Sequence, residues 1–262
     1  MIGLEFLSEY MKDYQNEYIL IGGNACALNF NNEGAEFRAT VDLDIVLIIE
    51  STEDDFFRHL INYLVENDYV GKKFNGPNGE MTGGSAYRFT LPEEKTGNEH
   101  PTQIELFSKK PDYFDPEKVK NDRLHITPIE TAMGISNFSA ILLDDELYEF
   151  IQKSKTTIQG ISTVGLECLF GLKSIAWHSN QRLFDENKDI DPKNIFKHPN
   201  DMVQIVSIIE SQVTKYPKKI FDSLQISKEQ FVEGSIRKQL FLTQNMSIES
   251  TIKYIEDYVT PE

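Results

Sequence analysis

Two periodicities alternate along the first half of the chain. Leu4, Leu7, Met11 and Tyr14 recur at helical spacing, so residues 4–14 read as helix. Residues 18–21 form a short apolar run ending at Gly22-Gly23, the pattern of a buried strand and its exit turn. Residues 24–30 read as helix, and 41–49, rich in β-branched residues, as the strongest strand. Glu53, Asp54 and Asp55 follow Thr52 at a helix start, where acids are favoured, and that helix continues through Phe56, Leu60, Leu64 and Val65. The glycine-rich stretch 72–84 reads as a hairpin tip or loop. Strands follow at 85–91 and 102–107, separated by the polar stretch 92–101.

The second half changes character. Strands are expected at 139–143 and near 148–151, and then helices at 164–180, 199–213, 217–224, 228–244 and 248–258. Ser227 and Ser247 suit the caps of the last two helices, and 185–199 reads as a polar, proline-bearing loop. The pattern predicts an α/β (α+β) domain over 1–160 with a mixed central sheet, followed by a C-terminal helical domain over 161–262.

The chemistry begins in FRATVDLDIVLIIE, residues 37–50. Side chains alternate along a strand, so Arg38, Thr40, Asp42 and Asp44 share one face. Past Asp44 both faces are apolar, which marks a central strand. Two carboxylates about 7 Å apart on such a strand need compensation. Arg38 can offset part of the charge, and Mg²⁺ suits hard oxygen ligands better. The plainer alternative is a solvated strand end whose acids pair with Arg38. Gly22-Gly23 sits between a buried strand and a helix, where a backbone can approach a phosphate and the helix start offers N–H donors. Glycine at such a turn also serves simple backbone geometry. Glu105 alternates with Ile104 and Leu106, so it leaves the apolar side of its strand. Beside the 41–49 strand it would complete a three-carboxylate cage; otherwise it is an ordinary exposed acid.

Composition narrows the partners. Lys and Arg total 26 against 42 Asp and Glu, a net charge of −16. A broad phosphate-backbone binder needs a basic surface, and an anionic membrane would repel this chain. Two cysteines, Cys26 and Cys168, are too few for a disulfide framework and favour a reducing cytoplasm. The residues after Met1 lack the basic start and apolar run of a signal peptide, and no stretch approaches a membrane span in apolar length.

Together these motifs resemble the polymerase-beta-like nucleotidyltransferase superfamily, and within it the AbiEii-type nucleotidyltransferases, many of them toxins of toxin–antitoxin or phage-defence systems. GGNACALNF followed by RATVDLDIV carries the first part of the resemblance. CLFGLKSIAWHSN resembles the family's helix with a single lysine, and KHPNDMVQIV its Lys-Asp-x-x-Asp motif. The resemblance spans residues 19–206. The chain departs from it at Asn24, where relatives have Ser or Thr, at His198, where many have Asp, and at Glu105, often Asp elsewhere.

The resemblance implies a Mg²⁺- or Mn²⁺-dependent transfer of a nucleotide from an NTP to an acceptor hydroxyl. Asp42, Asp44 and Glu105 would bind metal, while Gly22, Gly23, Asn24, Arg38 and Thr40 would bind the nucleotide. Lys173 would meet the phosphates and Asp201 would orient or deprotonate the acceptor. Lys173 is the only charge between Cys168 and Trp177, so it must snorkel or meet an anion. Asp201 follows Pro199 closely, and an acid in a first helical turn is favoured by the dipole alone. The acceptor implied is RNA, such as a tRNA end, or a protein side chain, with an antitoxin protein as a partner. An RNA end would need a narrow basic channel, for which Arg88, Lys173, Lys197 and Arg237-Lys238 are candidates. Trp177 can stack on a base but, at helical spacing among apolar residues, reads more simply as core. Two other readings stay open: an aminoglycoside-type antibiotic nucleotidyltransferase, suited to an acidic surface, and a non-catalytic nucleotide-binding or interaction module. The five histidines show no metal-ligand spacing, and Cys26 reads as a small buried hydrophobe.

Overall fold

The structure is a computed structural model that describes residues 3–40, 42–48, 54–72, 88–96, 100–109, 126–131, 134–186, 192–234, 236, 240 and 246–262. The glycine-rich stretch expected as a loop and the Arg237-Lys238 pair lie outside these residues, apart from Lys72 at the stretch's start. The chain divides into two compact units: Met1–Leu28 with Arg38–Val164, and Asn29–Phe37 with Gly165–Glu262. Among the described residues no helix is long and apolar enough to cross a membrane.

The first unit is built on a mixed sheet. Its elements are β1 (Tyr18–Ile21), α1 (Gly22–Asn32, shared with the second unit), β2 (Asp42–Leu47), α2 (Asp54–Glu66) and β3 (Val70–Lys72). They continue with β4 (Arg88–Thr90), β5 (Gln103–Lys109), β6 (Ile126–Thr131) and β7 (Gly134–Leu143). Last come α3 (Asp145–Lys153), β8 (Lys155–Ile158) and β9 (Ile161–Val164). The strand order is β3-β4-β5-β2-β1-β9-β8, with β7 beside the end of β5 and β6 beside β7. β2 is central, antiparallel to β1 and parallel to β5, as its two apolar faces beyond Asp44 require. Leu43, Ile45, Val46 and Leu47 are each at most 1% exposed. The parallel strands account for the mixed topology expected of an α/β chain.

Residues 4–14 are helical but irregular, with a π-helical turn at Phe6–Tyr10 and a 3-10 turn at Lys12–Tyr14. Aromatic contacts pin this segment to α2: Tyr63 packs on Phe6 with ring centroids 4.0 Å apart, and His59 stacks on Tyr10 at 4.0 Å. The strand expected near 148–151 is instead helix α3. Asp144 caps it by accepting from the Leu147 N–H at 2.9 Å, and Leu147, Tyr148, Phe150 and Ile151 bury one helical face. A run of two neighbouring apolar pairs looks like a strand until the cap is noticed. The β8–β9 hairpin after it, turning through Gln159 and Gly160 at positive φ, was not legible from the pattern.

The second unit holds α4 (Leu166–Asp185), α5 (Pro192–Val206), α6 (Lys218–Glu233) and α7 (Ile248–Tyr258). A two-stranded parallel ladder joins β10 (Thr214–Tyr216) to β11 (Val259–Pro261). Gly171 lets α4 approach α6, since a Cβ there would fall 2.6 Å from Ile220 Cγ2. Trp177 is fully buried and tilts against Phe231, the core role its spacing favoured. Three boundaries depart from expectation. Residues 192–199 belong to α5 rather than to a loop, which places Pro199 inside the helix. That helix ends at Val206, and residues 214–216 are strand. The two helices expected at 217–224 and 228–244 are one through Glu233, closed by Gly234 at φ +70. Ser227 therefore caps nothing. Its buried hydroxyl lies 2.9 Å from Ser174 Oγ and 2.9 Å from His178 Nε2, joining α4 to α6. Ser247 does cap α7, accepting from the Ser250 N–H at 3.1 Å.

Candidate active site

Three close approaches tie the glycine turn to the Asp-x-Asp segment, all within the first unit. The β1–β2 ladder sets Ile21 opposite Asp44, so the chain leaving β1 passes the Asp44 side chain at once. Gly22 takes φ +75, and a Cβ there would lie 1.9 Å from Asp44 Oδ2. Only glycine satisfies both the left-handed backbone and the carboxylate. At Gly23 a Cβ would lie 2.6 Å from Thr40 Oγ1. Asn24 donates its amide N–H to the Asp42 carbonyl at 2.8 Å. Asn24 is fully buried, and its Oδ1 has no partner among the described residues.

α1 begins at this turn, so its positive end stands beside Asp44. This offsets part of the carboxylate charge and makes the turn a place where an anion is welcome. Arg38 and Thr40 precede the described strand, which begins at Asp42. Both residues lie in the irregular stretch leading into β2.

Asp44 is the register partner of Glu105 in the parallel β2–β5 ladder, and Glu105 is the partner of Arg88 in the antiparallel β5–β4 ladder. One row across three strands thus reads Asp44, Glu105, Arg88. Neighbouring strands lie about 4.8 Å apart, so two acids here repel unless compensated. Arg88 compensates: its Nε and Nη2 both bond Glu105 Oε1. Glu105 is 9% exposed, a buried acid rather than a solvated one. Arg88, which sequence reasoning placed only among basic candidates, is thereby part of the site. Its alternation with Phe89 was the available signal.

Among the described residues no three His, Cys, Asp or Glu side chains are grouped to hold a metal ion. Asp42 and Asp44 on one strand face still offer the hard oxygen donors that Mg²⁺ takes, and the buried Asn24 Oδ1 is a further unsatisfied oxygen. These residues fit a two-carboxylate site. Glu105 stands in register to extend it, but its carboxylate is on Arg88.

The second unit brings Lys173 and Asp201 together. Lys173 on α4 is 5% exposed, Asp201 on α5 is 0% exposed, and Nζ lies 2.7 Å from Oδ2. Lys173 therefore meets an anion rather than snorkelling. Because α5 starts at Pro192, Asp201 stands in its interior and not in its first turn. The dipole explanation of this acid fails, and the counter-charge to Lys173 replaces it.

No protein-family model, no curated protein and no solved structure matches this chain. Any functional reading rests on the residues and their geometry.

Proposed function

We propose that the chain is a divalent-cation-dependent nucleotidyltransferase that moves a nucleotide from an NTP to an acceptor hydroxyl. The observation that carries this reading is the apposition of the Gly22-Gly23 turn with Asp44 and Thr40, which joins an anion-welcoming helix start to paired carboxylates. Asp42 and Asp44 would hold Mg²⁺ or Mn²⁺, which when bound lowers the charge on the nucleotide phosphates. The turn's backbone N–H groups receive the phosphates, and Asn24, tied to the Asp42 carbonyl, fixes the turn against β2. Catalysis is then positioning plus electrostatics: the acceptor hydroxyl oxygen attacks the α-phosphorus in line, its proton passes to solvent, and pyrophosphate leaves as its bond to the α-phosphorus breaks.

The acceptor must suit a chain of net charge −16. An RNA end in a toxin–antitoxin or phage-defence setting requires local basic groups, whereas a cationic small molecule is attracted directly. Incubation with α-labelled NTPs, Mg²⁺ and either total RNA or aminoglycosides separates the two. Label in either acceptor, lost in Asp44→Asn, supports transfer. Nucleotide binding without transfer makes the chain a binding module.

A further inference from the structure

The Asp44–Glu105–Arg88 row has a property that the nucleotidyltransferase reading alone does not give. Glu105 is the in-register neighbour of Asp44, although it is not grouped with Asp42 and Asp44 as a three-carboxylate site. In the ligand-free chain its carboxylate is instead occupied by two N–H donors of one guanidinium. Arg88 itself is half-exposed, with 31% of its side chain open to solvent, while the Glu105 side chain is at 12%. Glu105 is thus the more enclosed partner and Arg88 the more exposed one. A guanidinium is also the side chain best matched to phosphate oxygens, which it takes in the same two-pronged way as a carboxylate.

Resting on the metal-dependent reading above, we propose that Arg88 is an exchange group between the two ligands of this site. It neutralises Glu105 when no cation is present. When a divalent cation binds at Asp42 and Asp44, Glu105 turns to the cation and Arg88 is released to the nucleotide's phosphates. The exchange keeps charge balanced at each stage: guanidinium on carboxylate before, cation on carboxylates and guanidinium on phosphate after. It makes Arg88 a positioning residue for metal and a binding residue for nucleotide, with opposite consequences for the two ligands.

That opposition is the test. Mn²⁺ binding is titrated by its paramagnetic resonance signal, and binding of a non-hydrolysable NTP analogue is titrated at saturating Mn²⁺. Arg88→Ala is expected to bind Mn²⁺ about tenfold more tightly, since Glu105 loses a competing charged partner. It is expected to bind the analogue about tenfold more weakly. Arg88→Lys restores part of both. In Glu105→Gln, Mn²⁺ affinity falls and Arg88→Ala added to it gives no further tightening. A variant that is merely misfolded loses both ligands together, which circular dichroism detects, and the Lys variant then carries the comparison. Unchanged or weaker Mn²⁺ binding in folded Arg88→Ala overturns the exchange while leaving the metal site standing. No Mn²⁺ binding by the wild type, by Arg88→Ala or by Arg88→Lys overturns the metal-dependent reading and the exchange with it. Binding that appears only on removal of Arg88 supports the exchange in its strongest form.

Discussion

Removing the carboxylate of Asp201 is expected to destabilise the second unit far more than loss of an ordinary ion pair. Asp201 is fully buried and Lys173 nearly so, with Nζ and Oδ2 2.7 Å apart. An exposed pair is worth at most about 1 kcal/mol, because water screens both partners. Here Asp201→Ala leaves an ammonium stranded in the interior, a situation that costs about 3–5 kcal/mol. For a chain of this size each kcal/mol moves the melting midpoint by about 2–4 °C, so a fall of about 10 °C is expected. The readout is built in. Trp177, the chain's single tryptophan, is fully buried one helical turn from Lys173 on α4, so its fluorescence follows unfolding of this unit. Lys173→Met is expected to be costly for the converse reason. The double variant Lys173→Met/Asp201→Ala, which removes both charges, should recover much of the loss. A cost below about 1 kcal/mol for Asp201→Ala refutes the reasoning. So does a double variant whose loss equals the sum of the singles, because coupled partners cannot be additive.

Further outcomes follow from the same geometry. Gly22→Ala combines φ +75 with a Cβ 1.9 Å from Asp44 Oδ2. It is expected to cost about 1–2 kcal/mol in backbone strain alone and to abolish nucleotide transfer, read by urea titration and by label incorporation. A Gly22→Ala protein with wild-type transfer would deny the close approach. His178 is a pH-sensitive point of the second unit: burial lowers its pKa from 6.5, against a smaller opposing contribution from the Ser223 carbonyl. With the folded value below the unfolded one, the unfolded chain takes up the proton first on acidification. Stability is therefore full above about pH 6.5 and declines as pH falls through the depressed folded value. Trp177 fluorescence across that range should show the decline in the wild type and a flatter profile in His178→Gln; equal profiles would exclude His178 as its source.

The residues of the candidate site were more legible than its state. Asp42 and Asp44 could be placed on one side of a central strand because that strand is marked by its two apolar faces, whereas Glu105 joined them only on the condition that its strand lay alongside. Strand alternation then fixes which acids share a side. Register is what the sequence could not supply: nothing local says that Glu105 lies opposite Asp44 or that Arg88 lies opposite Glu105. The ion pair that holds Glu105 follows from that register. Pro199 reads as a helix start signal, whereas α5 carries it in its interior, where the burial of Met202, Val203 and Ile205 offsets the lost hydrogen bond. Ser227 reads as a plausible cap between two helices, but its hydroxyl is satisfied by Ser174 and His178 across the helix pair and α6 runs through it. In both places long-range packing overrode a correct local propensity.

The decisive measurement is transfer of label from an α-labelled NTP in Mg²⁺ by the wild type and by Asp44→Asn. The substitution keeps the side chain's shape beside Gly22 and removes only its charge. The wild type is expected to incorporate label with release of pyrophosphate, and Asp44→Asn to lose about a thousandfold. Equal transfer by the two proteins, or none by a folded wild type offered RNA and aminoglycoside acceptors, would contradict it.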